Sequence, residues 1–327
     1  MKAIVSMRKG KQCHCKRVMQ SAIAVAICAV LEYSCEANAQ VVSGADLETQ
    51  IQIYSAASQK ADPPAMEPVA AGGVWRHLGS LYEDAGRYAE SETCYVHAIR
   101  LLQPEPAASA ELATAIDDLG TLYMMRGDLE QAEYAEQRAL AIREAWGIRA
   151  DLPLSWFHLA TLSLREHQFK RARDYAELAV QQIDRKTSPD ADEEMNARFV
   201  LGSALFRLHK DAEAIAMMES AMDVGRRTYS PDDFPLGFGS FLLGYVYWKS
   251  GNATGAAKLM ENGAAVVEKQ LGWRHPVCLS VMTQYSRFLR ETHQTAAARA
   301  IDDKLKEARG KEGYGQGTGT LSVAALF

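Results

Sequence analysis

A large residue followed by a small one recurs at Leu78-Gly79, Leu119-Gly120, Leu159-Ala160, Leu201-Gly202, Leu243-Gly244 and Tyr285-Ser286, in steps of 41, 40, 42, 42 and 42 residues. A period this regular confines the chain to a stack of similar units, each resting on its neighbours. Three residues after the small one stand Tyr82, Tyr123, Ser163, Leu205, Tyr247 and Leu289, each preceded by an apolar residue. Twelve after it the residues are small: Ser91, Ala132, Ala172, Ala214, Ala256 and Ala298. Seven further on come Ala98, Ala139, Ala179, Ala221, Gly263 and the departure Leu305. Large residues at helical spacing facing small ones on the next segment describe two antiparallel helices at close range.

The turn between those helices is periodic as well. Seven residues after the small position lie Gly86, Gly127, His167, His209, Gly251 and His293. A helix end commonly needs one residue at positive φ, which Gly takes freely and His takes more readily than most. That reading absorbs three of the eight histidines before any metal site is considered.

Trp75-x-x-Leu78-Gly79-x-x-Tyr82 followed by Ala98 resembles the tetratricopeptide repeat. The units exceed that family's usual length, and Gly147 before Pro153 and Gly272-Trp273-Arg274-His275-Pro276 resemble its long-repeat, kinesin-light-chain-like branch. The resemblance implies an all-α fold, a right-handed superhelical solenoid of about six antiparallel helix pairs. It also implies a concave groove lined by the first helix of each pair, and a scaffold that binds a protein or peptide.

Around this solenoid, expected over residues 66–308, the chain divides simply. Lys2, Arg8, Lys9, Lys11, Lys16 and Arg17 precede an apolar run from Ala22 to Leu31 and then Ala37-Asn38-Ala39. Residues 1–39 therefore read as a signal peptide cleaved between Ala39 and Gln40, with the mature chain periplasmic or secreted. The run is about half of what a membrane crossing needs, so no transmembrane segment is expected in the mature chain. Residues 40–65 read as an N-terminal capping helix and linker, with Leu47, Ile51 and Tyr54 at helical spacing. Residues 309–327 read as a Gly-rich flexible tail.

Charge and cysteine content narrow the function further. Without residues 1–39 the chain keeps 30 basic and 39 acidic residues, which argues against nucleic acid as a partner. Cys94 and Cys278 remain in distant repeats and are expected to stay unpaired. No metalloprotease, nucleophile-elbow or phosphate-loop motif is present, so no catalytic residue, metal or cofactor is expected. Asp117-Asp118 and Asp232-Asp233 read as solvated surface, the first pair forming an acidic lip with Glu83 and Asp84.

The groove columns that the resemblance implies hold a distinctive set in repeats three to five. Phe157, Phe199 and Phe241 stand three before the small residue, and Leu164, Phe206 and Trp248 four after it. Arg165, Arg207 and Lys249 follow at once, and Tyr245 stands directly after Gly244. An apolar ladder beside a basic one suits a peptide with hydrophobic anchors and acidic neighbours. The same stripe also reads as packing between units, and the basic residues as helix-terminal cations. The Lys and Asn clamp of the chaperone-binding members is missing: the matching positions hold Arg76, Ser80, Asp118, Phe157 and His158. His77 and His158 read as contact residues two units apart. The other roles open to such a chain are a spacer of an envelope assembly, acting through its outer face or tail, and an enzyme with an unrecognised site.

Overall fold

The computed structural model describes residues 44–60, 66–273 and 275–310. The expected signal peptide with its Ala39–Gln40 junction, and the tail beyond residue 310, lie outside the described residues. Within them the chain forms thirteen α-helices and no strand. Helix α1 (Gly44–Ser58) precedes six helix pairs: α2 (Pro68–Asp84) with α3 (Tyr88–Leu102), α4 (Ser109–Arg126) with α5 (Leu129–Ala145), and α6 (Leu152–Arg165) with α7 (Phe169–Ile183). Then come α8 (Ala191–Arg207) with α9 (Asp211–Thr228), α10 (Phe234–Lys249) with α11 (Ala253–Leu271), and α12 (Pro276–Glu291) with α13 (Thr295–Gly310).

Local chemistry sets the helix ends. Pro opens α2, α6, α10 and α12, where its missing N–H costs nothing. The Asp190 carboxylate caps α8 by accepting from the amides of Asp192 and Glu193 at 3.0 and 3.2 Å. Within every pair the turn residue is left-handed: Gly86, Gly127 and Gly251 have φ of 69°, 82° and 86°, and His167, His209 and His293 have 59°, 61° and 63°. The amide one residue later then donates back to the carbonyl of Tyr82, Tyr123, Ser163, Leu205, Tyr247 or Leu289, at 2.7 to 3.0 Å. This is the Schellman closure, repeated six times, and it needs only the backbone of that column. Ser163 therefore serves there as well as a tyrosine.

Packing follows the small columns. Ser91, Ala132, Ala172, Ala214, Ala256 and Ala298 all have zero exposure, so the two helices of each pair meet where a larger side chain would not fit. The small residue of the first helix meets one large residue of the second. A Cβ on Gly79 would lie 2.6 Å from the Tyr95 ring, on Gly120 2.7 Å from Glu136 Oε1, and on Gly202 2.6 Å from Met218.

First helices of consecutive repeats also touch, along α2–α4, α4–α6 and α6–α8, and no pair of second helices packs to that extent. The stack is therefore curved with first helices on the inside. Its apolar interior is divided: one continuous core runs from Phe157 on α6 to Leu305 on α13. A separate core joins Tyr95 and Leu102 on α3 to Ala139 on α5. A small group, Met124, Ala132 and Leu162, bridges the two repeats where these cores meet.

Candidate partner-binding face

On the inner helices the structure sorts the expected ladder into floor and rim. Phe157 on α6, Phe199 on α8 and Phe241 on α10 are buried, Phe241 completely, and Leu164 is buried beside them. These four side chains pack repeat on repeat and present almost no surface, so as contact residues they are corrected to core. The reason is the close helix approach: the ring of Phe199 fills the space a Cβ on Gly239 would take, at 2.7 Å. Phe206 stays half-buried, and Tyr245 and Trp248 keep only an edge at 8% and 7% exposure.

The aromatic rim of repeats four and five is held edge to face. Phe206 meets Tyr245 at 6.5 Å, Tyr245 meets Trp248 at 5.6 Å, and Trp248 meets Phe288 of repeat six at 5.6 Å. The Trp248 indole N–H donates to Glu291 Oε2 at 3.0 Å, and Arg287 takes the other oxygen of that carboxylate at 3.2 Å.

The three cations beside the ladder end differently. Arg165 donates to the Met124 carbonyl at the end of α4, at 2.6 Å, a bond that ties repeat three to repeat two. Arg207 lies over the Phe169 ring, 4.1 Å from its centroid, and Lys249 Nζ lies 3.3 Å above the Trp248 ring. Neither makes an ion pair with a carboxylate among the described residues. Burial lowers both cations below their usual range; Glu291 opposes this for Lys249. Two half-buried cations resting on aromatic faces, one repeat apart, form a rim ready to receive anionic groups.

The acidic lip departs most from expectation. Asp117 on α4 is buried and ion-paired with Arg143 of α5, which in turn donates to Ser155 of α6. Asp117 is therefore a structural group rather than solvated surface, because a guanidinium from the paired helix reaches it. Its neighbour Asp118 is half-buried and paired with Arg76 at 3.2 Å; burial raises its carboxyl to about 6, with Arg76 opposing. Glu83 accepts from the Tyr95 hydroxyl at 2.8 Å, and burial pushes it up to about 8. His77 is exposed, its ring tilted against that of Tyr54 on α1 with centroids 4.3 Å apart. His158 is buried, with Nδ1 3.0 Å from Glu136 Oε2, which removes it from the groove surface.

Glu136 was not singled out by the sequence reading, though its column held a signal. The residue facing the small position is Tyr95, Ala176, Met218 or Met260 in other repeats, so a carboxylate there is a charge in a buried column. Repeat six shows one solution, with the Ser286 hydroxyl donating to Asp302 at 2.6 Å. Gly120 has no side chain to do the same, and Glu136 turns to His158 of the next repeat. Asp117, Glu136 and His158 are the one group among the described residues whose donor atoms gather closely enough for a metal, all within 4.8 Å of one another. With Arg143 already on Asp117, a divalent ion would leave this buried cluster with more positive than negative charge. Cys94 and Cys278 are free and buried, and burial raises both thiols, to about 11 and about 12. No helix among the described residues is long and apolar enough to cross a membrane.

Comparison with known proteins agrees with the geometry. Two family models described as tetratricopeptide repeat match residues 71–145 and 200–235. The apo form of RapI superposes with a TM-score of 0.65 at 12% identity, over 81% of this chain and 92% of that one. The nearly identical repeats of a Podosopora anserina putative kinesin light chain give 0.52 at 17% identity, over 62% and 97%. A Rap protein complexed with competence and sporulation factor gives 0.53 at 13% identity, over 73% and 75%. At these identities the likeness carries the fold. No curated protein matches the chain.

Proposed function

We propose that this stack of tetratricopeptide repeats is a non-catalytic scaffold whose concave face binds an acidic peptide or protein segment. The observation that carries this is the pair Arg207 and Lys249, one repeat apart, held on the rings of Phe169 and Trp248 and, among the described residues, in no ion pair with a carboxylate. A cation already half out of water gains more from an incoming anion than an exposed one does. Phe206 and the edges of Tyr245 and Trp248 supply apolar contact between the two charges. That a Rap protein of similar fold is complexed with a factor supports a binding role for such a stack. The basic N-terminal stretch and the apolar run from Ala22 to Leu31 support placing this scaffold outside the cytoplasm.

Selection of a random peptide library on the purified chain tests the reading, with an Arg207→Glu, Lys249→Glu variant shown to be folded by circular dichroism. Acidic sequences with aromatic or aliphatic anchors are expected from the native chain and absent from the variant. Equal recovery by both proteins, or enrichment without acidic residues, rejects this face as the binding site.

A further inference from the structure

We propose that Asp117, Glu136 and His158 share one buried proton, and that this proton latches the second repeat to the third. Glu136 gives Oε2 to His158 Nδ1 at 3.0 Å, while Oε1 lies against Gly120 with no hydrogen-bond partner. Asp117 gives Oδ2 to Arg143, and its Oδ1 likewise has none. Both carboxyl groups are more than nine-tenths buried and lie within 4.8 Å of each other and of the imidazole. Two adjacent buried carboxylates cannot both stay ionised when neither remaining oxygen has a donor.

One proton resolves the arrangement. Placed on Glu136 Oε1, it supplies the missing hydrogen bond to Asp117 and leaves Oε2 to accept from His158 Nδ1–H. Asp117 is then balanced by Arg143, and Glu136 and His158 are both neutral. A proton on His158 with Glu136 ionised has the same net charge but leaves the two facing oxygens unbridged. A divalent cation overshoots by one positive charge, which favours the proton. The surrounding charged groups leave this count unchanged. Arg76 of α2 pairs with Asp118 of α4, Glu83 of α2 accepts from Tyr95 of α3, and Asp151, in the turn before α6, acts on Arg143 from outside. The proton joins α4, α5 and α6, the helices that connect repeat two to repeat three.

The sign of the pH dependence follows. Burial raises Glu136 to about 8 against the pull of His158; burial lowers the imidazole, but Glu136 and Asp117 outweigh it and hold it above its ordinary value. Both groups bind the proton more tightly when folded. The stabilisation is therefore present below the free imidazole value of 6.5 and is lost as pH rises toward about 8.

Amide hydrogen exchange on the full chain across that window tests the latch. Protection factors in α4, α5 and α6 are expected to fall by about tenfold per pH unit, the slope for one proton, while those in α10 and α11 hold steady. Glu136→Gln offers a permanent N–H toward Asp117 and a carbonyl toward His158, and it should remove the one-proton part of the decline in α5 and α6, leaving only what Glu83 contributes through α2 and α3. A flat wild-type profile overturns the proposal by itself, even if the glutamine variant does not fold. An equal decline in both proteins overturns it too, and so does a loss of wild-type protection on adding a chelator, which would assign the cluster to a metal.

Discussion

Arg143 on α5 and Asp117 on α4 form an ion pair with 1% and 4% of their side chains exposed, and the guanidinium also reaches Ser155 on α6. Charges this far from water are tolerated only as partners. Arg143→Met removes one and strands the other, and it is expected to cost about 3–5 kcal/mol in urea denaturation. The double variant Arg143→Met, Asp117→Leu should recover most of that loss. A single variant as stable as the parent would mean that Asp117 has another partner or stays protonated.

Among the described glycines, Gly263 allows the closest approach of one backbone to another. A Cβ there would lie 2.6 Å from both the Gly237 carbonyl oxygen and the Phe241 amide nitrogen. Backbone atoms cannot swing aside, so Gly263→Ala should cost about 2–3 kcal/mol. At Gly202 the nearest atom belongs to the flexible Met218 side chain, and the same substitution should cost less. Thermal midpoints that rank the two variants the other way would refute this packing account.

His209 is exposed and holds a φ of 61° for want of a glycine. His209→Gly should stabilise the chain by about 0.5–1 kcal/mol by relieving the left-handed strain. His209→Val, whose branched side chain tolerates that region worst, should destabilise by about 1–2 kcal/mol. Chemical denaturation of both variants reads the difference, and two changes of the same sign would contradict it.

Binding and stability separate along the inner face. Raising ionic strength from about 50 mM to about 500 mM should weaken an acidic ligand severalfold, chiefly through slower association. Phe241→Leu, at a completely buried site, should lower stability by about 1 kcal/mol or more and leave ligand affinity unchanged. Affinity lost with Phe241→Leu but insensitive to salt would move the contact from the cationic rim to the floor.

The helix pairs were legible in sequence because steric demands repeat: a zero-exposure column must be small in every unit, and a left-handed turn must be Gly or a residue such as His. Phe157, Phe199 and Phe241 stand in a column that the resemblance to the tetratricopeptide repeat implies, but spacing alone does not separate a groove floor from a groove wall. What decides it is how closely the next helix approaches, and that depends on Gly239 and its partner surfaces. The ionic joint was hidden for another reason. Asp117, Glu136, Arg143 and His158 come from three helices, and each charge taken singly is commoner on a surface. Only Glu136 betrays it, a carboxylate in a column where repeats one and three to five hold tyrosine, alanine or methionine, and where the Asp302 of repeat six has a serine hydroxyl opposite that Gly120 does not supply.

That joint lies where the apolar core running from Phe157 to Leu305 stops and the core from Tyr95 to Ala139 begins. Along most of the rod, tension must pull interlocked hydrocarbon apart over a broad area, a gradual and compliant process. At the boundary between repeats two and three much of the load falls on a few short directional bonds, which are stiff over small extensions and fail abruptly beyond them. Pulled from its ends, the molecule should part there first, leaving a four-repeat segment with the ligand rim whole.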